Sequence, residues 1–217
     1  MLSFTEENYI KAIYHLSTNN HNTVSTNAIA ESIQASAASV TDMLKKLKSK
    51  KLVVYEKYQG VTLTKAGLQI AKQLVRHHRL WEVFLFEKLS FSWDEVHDMA
   101  EQLEHIKSEE LINRLDKFLN YPKYDPHGDP IPDQQGNIRQ VEQKTLAAAK
   151  VGDAKKVVGV KDSSAKFLQY LDSVKISLGT EVEVLQILDF DNSFVLKLKN
   201  KTKIGVSQQV VKNLLVV

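Results

Sequence analysis

The chain has 217 residues, of which 43% are hydrophobic and 25% are charged, so it can form two or three small domains. It has no cysteine, no apolar run near the roughly 18 residues of a membrane span and no signal-peptide pattern, which predicts a cytoplasmic protein without disulfides, thiolate ligands or a membrane partner. The net charge of +3 is uneven, with nine lysines and five acids over residues 1–75 but eight basic and thirteen acidic residues over 76–140. The basic first segment would attract a polyanion, and the acidic second segment would attract a cation.

The amino-terminal part predicts a helix-turn-helix. A first helix is expected from Thr5, because acids follow it and apolar residues then recur at helical spacing. Two shorter helices follow across a turn of small residues, and the second begins near Ala38, with Val40, Leu44 and Leu47 on its inner face. The second helix of such a pair is the one that enters a major groove. The alternative is a plain helical hairpin with a solvated lysine face.

Two β-rich runs around Gly60 predict a hairpin, which favours the winged form of this motif. Hydroxyl, carboxylate and ammonium groups on the outer face of the second helix and on this wing are the candidates for DNA contact. The candidates near base edges are Ser36, Ser39 and Asp42, with Thr41 beside them, and the candidate phosphate anchors are Lys45, Lys46, Lys48 and the wing residue Lys57.

A metal-ligand pattern follows. A long helix is predicted from Lys65 to Leu89, and it carries His78 and Glu82 four residues apart on one face. After a break near Ser90 to Ser92, a helix over about 94–105 brings four more ligand-type side chains to offsets of four, seven and eight, namely His97, Glu101, Glu104 and His105. Alternating imidazoles and carboxylates suit a divalent transition metal held by nitrogen and oxygen. The alternative is a solvated acidic face with incidental histidines.

The remaining segments predict a dimer surface, a loop and a β domain. Aromatic side chains exceed what three helices over 65–119 need to bury, which favours a dimer interface formed by Trp81, Phe84, Phe86, Phe91 and Trp93. All four prolines lie between residues 122 and 132 and predict an extended loop. A short helical piece is expected over 141–150, and alternating runs after it predict a small antiparallel barrel of about 70 residues.

The order of these parts, with the segments VRHHRLWE, EVHDMAEQLEH and DPHGDPIP, resembles the diphtheria toxin repressor and manganese transport regulator family of metal-dependent transcriptional repressors. The resemblance covers essentially the whole chain. It implies a mainly α protein with a winged helix-turn-helix domain over 1–75, a helical dimerisation and metal-binding domain over 76–140 with a proline-rich loop over 121–136, and a small Src-homology-like (FeoA-like) β-barrel over 150–217. It also implies a homodimer that binds palindromic double-stranded operator DNA and controls metal-uptake and homeostasis genes.

The same resemblance implies two metal sites. The ancillary site would take His78, Glu82 and His97, and the primary site would take Glu101, Glu104, His105 and one ligand from the first helix. That helix position is Asn8 here, where the family has methionine or aspartate. Glu101 stands where the iron branch has cysteine, which favours Mn(II) as the bound metal. Fe(II) is the alternative, and Zn(II) or Co(II) can also bind in vitro. Asp162 of the barrel is a further candidate, whereas His77 is expected on the surface and His127 in loop packing.

The expected mechanism is a population shift. Without metal, the carboxylates repel one another, and a bound divalent ion then orders two recognition helices about 34 Å apart for successive major grooves. Two other functions are weighed. A metal-independent winged-helix regulator would lack this response, and a carboxylate and histidine metalloenzyme would need ligand motifs that Glu101, Glu104 and His105 do not complete. No catalytic residue is therefore predicted.

Overall fold

The computed structural model describes residues 2–19, 23–56, 59–138 and 144–217, with only the backbone of residues 18 and 19. Its elements, in chain order, are α1 (Phe4–Asn19), α2 (Thr26–Ser32), α3 (Ala37–Ser49), β1 (Val53–Glu56), β2 (Gly60–Leu63), α4 (Lys65–Leu89), α5 (Val96–Leu103), α6 (Glu109–Phe118), β3 (Lys144–Thr145), β4 (Ala154–Val160), α7 (Ala165–Ser173), β5 (Glu181–Ile187), β6 (Phe194–Leu198), β7 (Lys203–Val206), α8 (Gln208–Asn213) and β8 (Leu214–Val216). None of the helices within these ranges combines the length and apolar character needed to cross a lipid bilayer.

The chain divides into two compact units. The first unit comprises Met1–His78, Glu101–Glu109 and Pro132–Asn137, and the second comprises Arg79–Ala100, Glu110–Ile131 and Ile138–Val217. Each unit has its own hydrophobic core.

The first unit contains the predicted winged helix-turn-helix. α1 begins at Phe4, one residue before the predicted Thr5, because Ser3 and Glu6 form a reciprocal capping box: the Ser3 amide donates to Glu6 Oε2 at 2.8 Å, and the Glu6 amide donates to Ser3 Oγ at 3.3 Å. Ser36 caps α3 by accepting from the Ser39 amide. Val40, Leu44 and Leu47 of α3 are fully buried against α1 and α2 residues, as the apolar spacing predicts.

The wing is an antiparallel hairpin in which Val53 pairs with Leu63 and Glu56 pairs with Gly60. Gly60 has a φ of +92°, and a Cβ there would lie 2.8 Å from the Val24 carbonyl oxygen. A side chain at this position would therefore strain the backbone of the turn and collide with the backbone of Val24. Lys57, the predicted phosphate anchor near the wing tip, lies outside the described residues.

The second unit has two cores. The end of α4 packs on α6 through Leu80, Val83, Ile112 and Leu115. The carboxy-terminal β domain is confirmed as a six-stranded antiparallel sheet with strand order β3-β8-β4-β5-β6-β7, so that β3 and β7 are its edges. Trp93, which was predicted at a dimer surface, is 4% exposed and belongs to the core of this β domain.

Two local predictions are wrong. α5 spans Val96–Leu103, so Glu104 and His105 lie in the turn after the helix. The helical piece predicted over 141–150 is, among its described residues, the short strand β3 followed by a 3-10 turn at Leu146–Ala148. Residues 208–213, for which the sequence predicted no separate element, form α8, because Ser207 caps it by accepting from the Val210 amide.

The Glu6 carboxylate connects α1 to α3. It is 1% exposed and lies 2.6 Å from Lys50 Nζ and 3.3 Å from Lys46 Nζ. The hydrogen bond from Lys50 is the main cause that lowers the pKa of Glu6 from 4.5 to about 2, against the opposing effect of burial. Ionised Glu6 therefore stabilises the position of α3 on α1.

Glu6→Gln should lower the free energy of unfolding at neutral pH by about 1–2 kcal/mol, because Lys46 and Lys50, which are partly solvated, lose their buried anionic partner. The folded pKa is depressed, so this contribution is present above the usual pKa of 4.5 and is lost as the pH falls towards about 2. Denaturant titrations followed by circular dichroism should show the two proteins converging over that interval. Glu31→Gln, at an exposed position of α2, is the matched control. A pH-independent difference would contradict this account.

Candidate metal centres and nucleic-acid interface

A group of charged side chains in the first unit brings together α1, α4 and the end of α5. We call it the first cluster, and its members are Glu7, Lys11, His78, Glu101, Glu104 and His105. His78 Nδ1 lies 2.6 Å from Glu104 Oε2. Lys11 Nζ lies 2.5 Å from Glu101 Oε1 and 2.6 Å from Glu104 Oε1. Four predicted ligands, His78, Glu101, Glu104 and His105, are thus described within one compact unit.

The first cluster is not the uncompensated group of repelling carboxylates expected from the sequence. Glu104 is 1% exposed, and burial opposes its ionisation, but the bond from His78 and the charge of Lys11 outweigh burial and lower the pKa of Glu104 below its usual value. Glu104 is therefore a carboxylate with a cationic partner. By the family resemblance, Lys11 stands where the manganese branch has an acid, which argues for two separated metal sites, but its pairing with Glu101, 90 residues away along the chain, was not predicted.

α1 contributes Glu7 to this cluster. Glu7 Oε2 lies 2.7 Å from His105 Nδ1, and Lys107 Nζ lies 3.2 Å from Glu7 Oε1. Phe4 stacks on the His105 ring with a centroid distance of 4.6 Å. Asn8, the expected ligand from α1, is an exposed residue, and its ligation stays a prediction. Glu7 is an additional candidate that the sequence pattern did not single out.

Three buried residues of the second unit form what we call the second cluster: Glu82, Asp125 and His127. One potential ligand atom from each lies within 4.8 Å of the others. Glu82 comes from α4, whereas Asp125 and His127 come from the proline-rich loop. His97 Nδ1 also lies 3.6 Å from Glu82 Oε1, which places two members of the predicted ancillary set near each other in this unit.

The loop is fixed by contacts that also orient His127. Its Nε2 lies 2.7 Å from the Trp93 carbonyl oxygen, and since a carbonyl oxygen only accepts, Nε2 carries the hydrogen and Nδ1 faces Glu82 at 3.6 Å. The His127 carbonyl in turn accepts from the Val160 amide at 2.9 Å. Gly128 has a φ of +89°, and a Cβ there would lie 2.2 Å from the Val158 carbonyl oxygen. These contacts hold the loop against β4.

Burial and like charge shape the electrostatics of the second cluster. Burial and the neighbouring Glu82 raise the pKa of Asp125 to about 7, although Arg79 Nε lies 3.4 Å from its carboxylate. Burial disfavours the charged form of His127, but Glu82 and Asp125 outweigh it and raise its pKa to about 9. In the absence of metal, the cationic partners of these carboxylates are Arg79 and protonated His127, and a divalent ion bound here would replace the His127 proton.

Both clusters have donor sets that fit a first-row divalent ion. Each combines imidazole nitrogen with carboxylate oxygen, and the chain has no thiolate to offer. In the second cluster, the Trp93 carbonyl fixes the hydrogen on His127 Nε2 and leaves Nδ1 as the ligating atom, an arrangement typical of protein metal ligands. Such an ion would take over the role of the cationic side chains that compensate these carboxylates in its absence.

One histidine prediction is wrong, and those for His127 and Asp162 have different outcomes. His77, expected on the surface, is 8% exposed, and its Nδ1 lies 3.2 Å from the Glu104 carbonyl oxygen. Burial lowers the pKa of His77. His127 does pack the loop, as expected, but it also belongs to the second cluster, which the sequence did not predict. Asp162 accepts from the Ser164 amide at the start of α7, and its ligation stays a prediction.

The predicted DNA-contact residues lie along α3. Those with exposed side chains are Ser36, Ser39, Asp42, Lys45, Lys46 and Lys48, whereas Thr41 is half-buried and donates to the Ala37 carbonyl oxygen at 2.9 Å. Lys45 Nζ pairs with Asp42 at 3.0 Å, and both side chains are more than half exposed. Lys48 Nζ donates to the Tyr55 carbonyl oxygen at 2.9 Å, which connects α3 to the wing. Lys50, which binds Glu6, extends this basic face and was not predicted.

Three protein-family models match the sequence. They are described as "Iron dependent repressor, N-terminal DNA binding domain" over residues 1–61, "Iron dependent repressor, metal binding and dimerisation domain" over residues 64–133, and "FeoA domain" over residues 144–217. The matches therefore cover the winged helix, the helical segment with the proline-rich loop, and the β domain.

The chain is also similar to individual proteins. It is 34% identical over 143 residues to the HTH-type transcriptional regulator MntR of Oceanobacillus iheyensis, a match that covers 66% of this chain and 95% of the relative. A solved structure of a manganese-dependent transcriptional repressor in complex with manganese is 34% identical, with a TM-score of 0.81 and coverage of 98% of this chain and 99% of the other. A probable metal transport system membrane protein of Chlamydia trachomatis serovar D is 48% identical over 71 residues, and this match spans 33% of the chain but only 16% of that relative.

In metal-free protein, we expect His127 to be an imidazolium at neutral pH, because its pKa is raised to about 9. Its charged form should persist as the pH rises through neutrality and be lost only near that value. Long-range proton–nitrogen NMR spectra distinguish the charged ring from the neutral one. Adding excess Zn(II) should convert the ring to the neutral form with metal on Nδ1, and Glu82→Gln should lower the pKa. A neutral ring at neutral pH without metal would contradict this prediction.

Proposed function

This chain belongs to the iron-dependent repressor family of metal-dependent, DNA-binding transcriptional repressors, and we propose that it senses Mn(II) as its corepressor and represses genes for metal uptake and homeostasis. Fe(II) is the alternative physiological metal, and Zn(II) or Co(II) would bind in vitro. The observation that carries the proposal is that two clusters of imidazoles and carboxylates, without any thiolate, occur in a chain that begins with a winged helix.

We assign the metal ligands by cluster. The first cluster would hold an ion through Glu101, Glu104 and His105, with His78 beside them and Glu7 or Asn8 as the contribution of α1. The second would hold an ion through Glu82, Asp125 and His127, with His97 and Asp162 as further candidates. Mn(II) is favoured because carboxylate oxygen and imidazole nitrogen suit a hard ion, and because a manganese-dependent repressor with bound manganese is among the similar structures.

In this proposal, α1 couples metal binding to DNA binding. On one side, Glu7 of α1 contacts His105, and on the other, the preceding Glu6 binds Lys46 of the recognition helix α3 and Lys50, the residue that caps its carboxyl end. A ligand exchange at the first cluster that moves or stiffens α1 would therefore change the placement of α3. By thermodynamic linkage, metal and operator must strengthen each other's binding by the same factor.

The proposed DNA complex is a homodimer on a palindromic duplex. Ser36, Ser39, Thr41 and Asp42 would face base edges, and lysines of α3 with Lys57 would contact phosphates. Exposed apolar side chains in the second unit support a dimer, including Phe86 at 41%, Leu89 at 53% and Phe118 at 64% exposure. We retain 1–75, 76–140 and 150–217 as the DNA-binding, dimerisation and β domains, and we place the protein in the cytoplasm, with the chromosome.

The test is metal-dependent DNA binding by the full chain. Duplexes are first selected from a random pool in the presence of Mn(II), and gel shifts are then run with Mn(II), Fe(II), Zn(II), Co(II) or EDTA. We expect affinity to rise with metal and to fall in EDTA. Affinity that EDTA leaves unchanged would overturn the proposal in favour of a metal-independent winged-helix regulator.

Glu104→Gln combined with His105→Ala should abolish the stimulation of DNA binding by Mn(II) while leaving the circular dichroism spectrum unchanged. The reason is that the first cluster loses its most buried carboxylate and the imidazole that contacts α1. Glu110→Gln with His15→Ala removes the same two side-chain types at exposed positions and should retain the response. A double variant that still responds fully to Mn(II) would show that the first cluster is wrongly assigned.

Lys45→Met should weaken binding to selected and unselected duplexes alike and reduce the slope of log affinity against log salt by about one for each Lys45 lost, or about two for the proposed homodimer. Lys45 is an exposed phosphate-anchor candidate whose only role in this account is electrostatic. Fluorescence anisotropy at several salt concentrations measures the slope. Lys201→Met, at an exposed position of the β domain, removes the same charge and should leave the slope unchanged.

A further inference from the structure

The Lys11 ammonium binds both Glu101 and Glu104, the two carboxylates that are assigned to a metal ion in the first cluster. Its ammonium nitrogen lies 2.5 Å from Glu101 Oε1, 2.6 Å from Glu104 Oε1 and 2.8 Å from Glu104 Oε2. The Lys11 side chain is 11% exposed, and that of Glu104 is 0% exposed. An ammonium has three hydrogens to donate, and three carboxylate oxygens are within reach of them. Lys11 can therefore use all three of its hydrogens on the carboxylates of the first cluster.

A divalent ion and this ammonium compete for the same oxygens. Metal ligation brings carboxylate oxygens to about 2.0–2.2 Å from the ion, and a second cation bound to those oxygens would be repelled at short range. Lys11 must therefore leave Glu101 and Glu104 before both can ligate. The charge-assisted bonds that it gives up oppose metal binding.

We propose that Lys11 is an internal competitor of the metal, whose displacement from Glu101 and Glu104 sets the metal concentration at which the protein responds. The proposal rests on the proposed function, since it concerns the metal assigned to the first cluster. It explains how the buried carboxylate of Glu104 and its partly exposed neighbour Glu101 are compensated in the absence of metal, which the sequence alone did not indicate. It also makes Lys11, rather than the ligands alone, a determinant of affinity.

The direction in which metal affinity changes when the Lys11 charge is removed distinguishes competition from two simpler roles, support of the fold and orientation of the ligands. If Lys11 only supports the fold, its neutral variant changes stability and leaves metal affinity unchanged. If Lys11 orients Glu101 and Glu104 for the metal, its neutral variant binds metal more weakly. Only a competitor predicts tighter binding after the charge is removed.

The first experiment measures Mn(II) affinity by calorimetry in full-length protein carrying Asp125→Asn and His127→Ala, so that binding reports on the first cluster. Lys11→Met should raise the affinity about 10- to 100-fold, the equivalent of one charge-assisted hydrogen bond. Lys11→Arg keeps the charge and should stay near the parent. Lys65→Met, at an exposed position of the same unit, controls for net charge and should also stay near the parent.

The second experiment uses the unsubstituted chain and does not depend on how any variant folds. Lysines are acetylated briefly with acetic anhydride, and Lys11 modification is quantified by mass spectrometry. Buried and bonded in the metal-free protein, Lys11 should react slowly, and Mn(II) should increase its reactivity at least about threefold as it becomes free. Lys11 reactivity that Mn(II) leaves unchanged or lowers would overturn the proposal.

The outcomes distinguish this inference from the proposed function. Mn(II) binding to the parent with equal or lower affinity in Lys11→Met overturns the role of Lys11 and leaves the metal site standing. Binding by Lys11→Met but not by the parent supports the competitor role. Failure of both proteins to bind Mn(II), with unchanged Lys11 reactivity, overturns the first cluster as a metal site and this inference with it.

Discussion

The first unit depends on the compensation of buried carboxylates along α1. Three charged side chains of this helix each pair with a residue that is distant along the chain: Glu6 with Lys50, Glu7 with His105, and Lys11 with Glu104. A buried charge without a partner is strongly unfavourable, so these pairs restrict where α1 can lie against both α3 and the turn after α5. One helix thus connects the predicted DNA-reading element to the predicted metal ligands.

In the proposed function, this arrangement would let a metal bound at the first cluster change the placement of α3. The candidate ligands of the first cluster come from three separate elements, one of which is α1, so a change in their charge balance would act directly on α1. Because Glu6 and Glu7 are adjacent, a shift of α1 at His105 would also be a shift at Lys46 and Lys50. The proposed coupling would pass through short-range contacts rather than through long-range electrostatics.

The second cluster rests on a different constraint. Its prolines keep the loop from forming a regular helix or strand. Besides an isolated β-bridge between Tyr124 and Pro130, the loop is fixed by the Trp93 carbonyl, by Arg79 and by the backbone of β4. Gly128 is required where the loop approaches Val158. Asp125 and His127 are therefore presented to Glu82 from a rigid loop, although neither belongs to a regular element.

The sequence by itself determined the features that depend on local periodicity and on residue type. These are the helix-turn-helix, the full extent of α4 from Lys65 to Leu89, the order of the parts and the restriction to nitrogen and oxygen ligands. Only the tertiary structure decided that Lys11 and Glu7 enter the first cluster and that Asp125 and His127 join Glu82. The contact of Lys11 with Glu101 joins residues 90 positions apart in the sequence. The loop that carries Asp125 and His127 has no helical or strand periodicity, so its sequence does not show where these side chains point. Such partners are chosen by packing and by the need to neutralise buried charge, which no single stretch of sequence records.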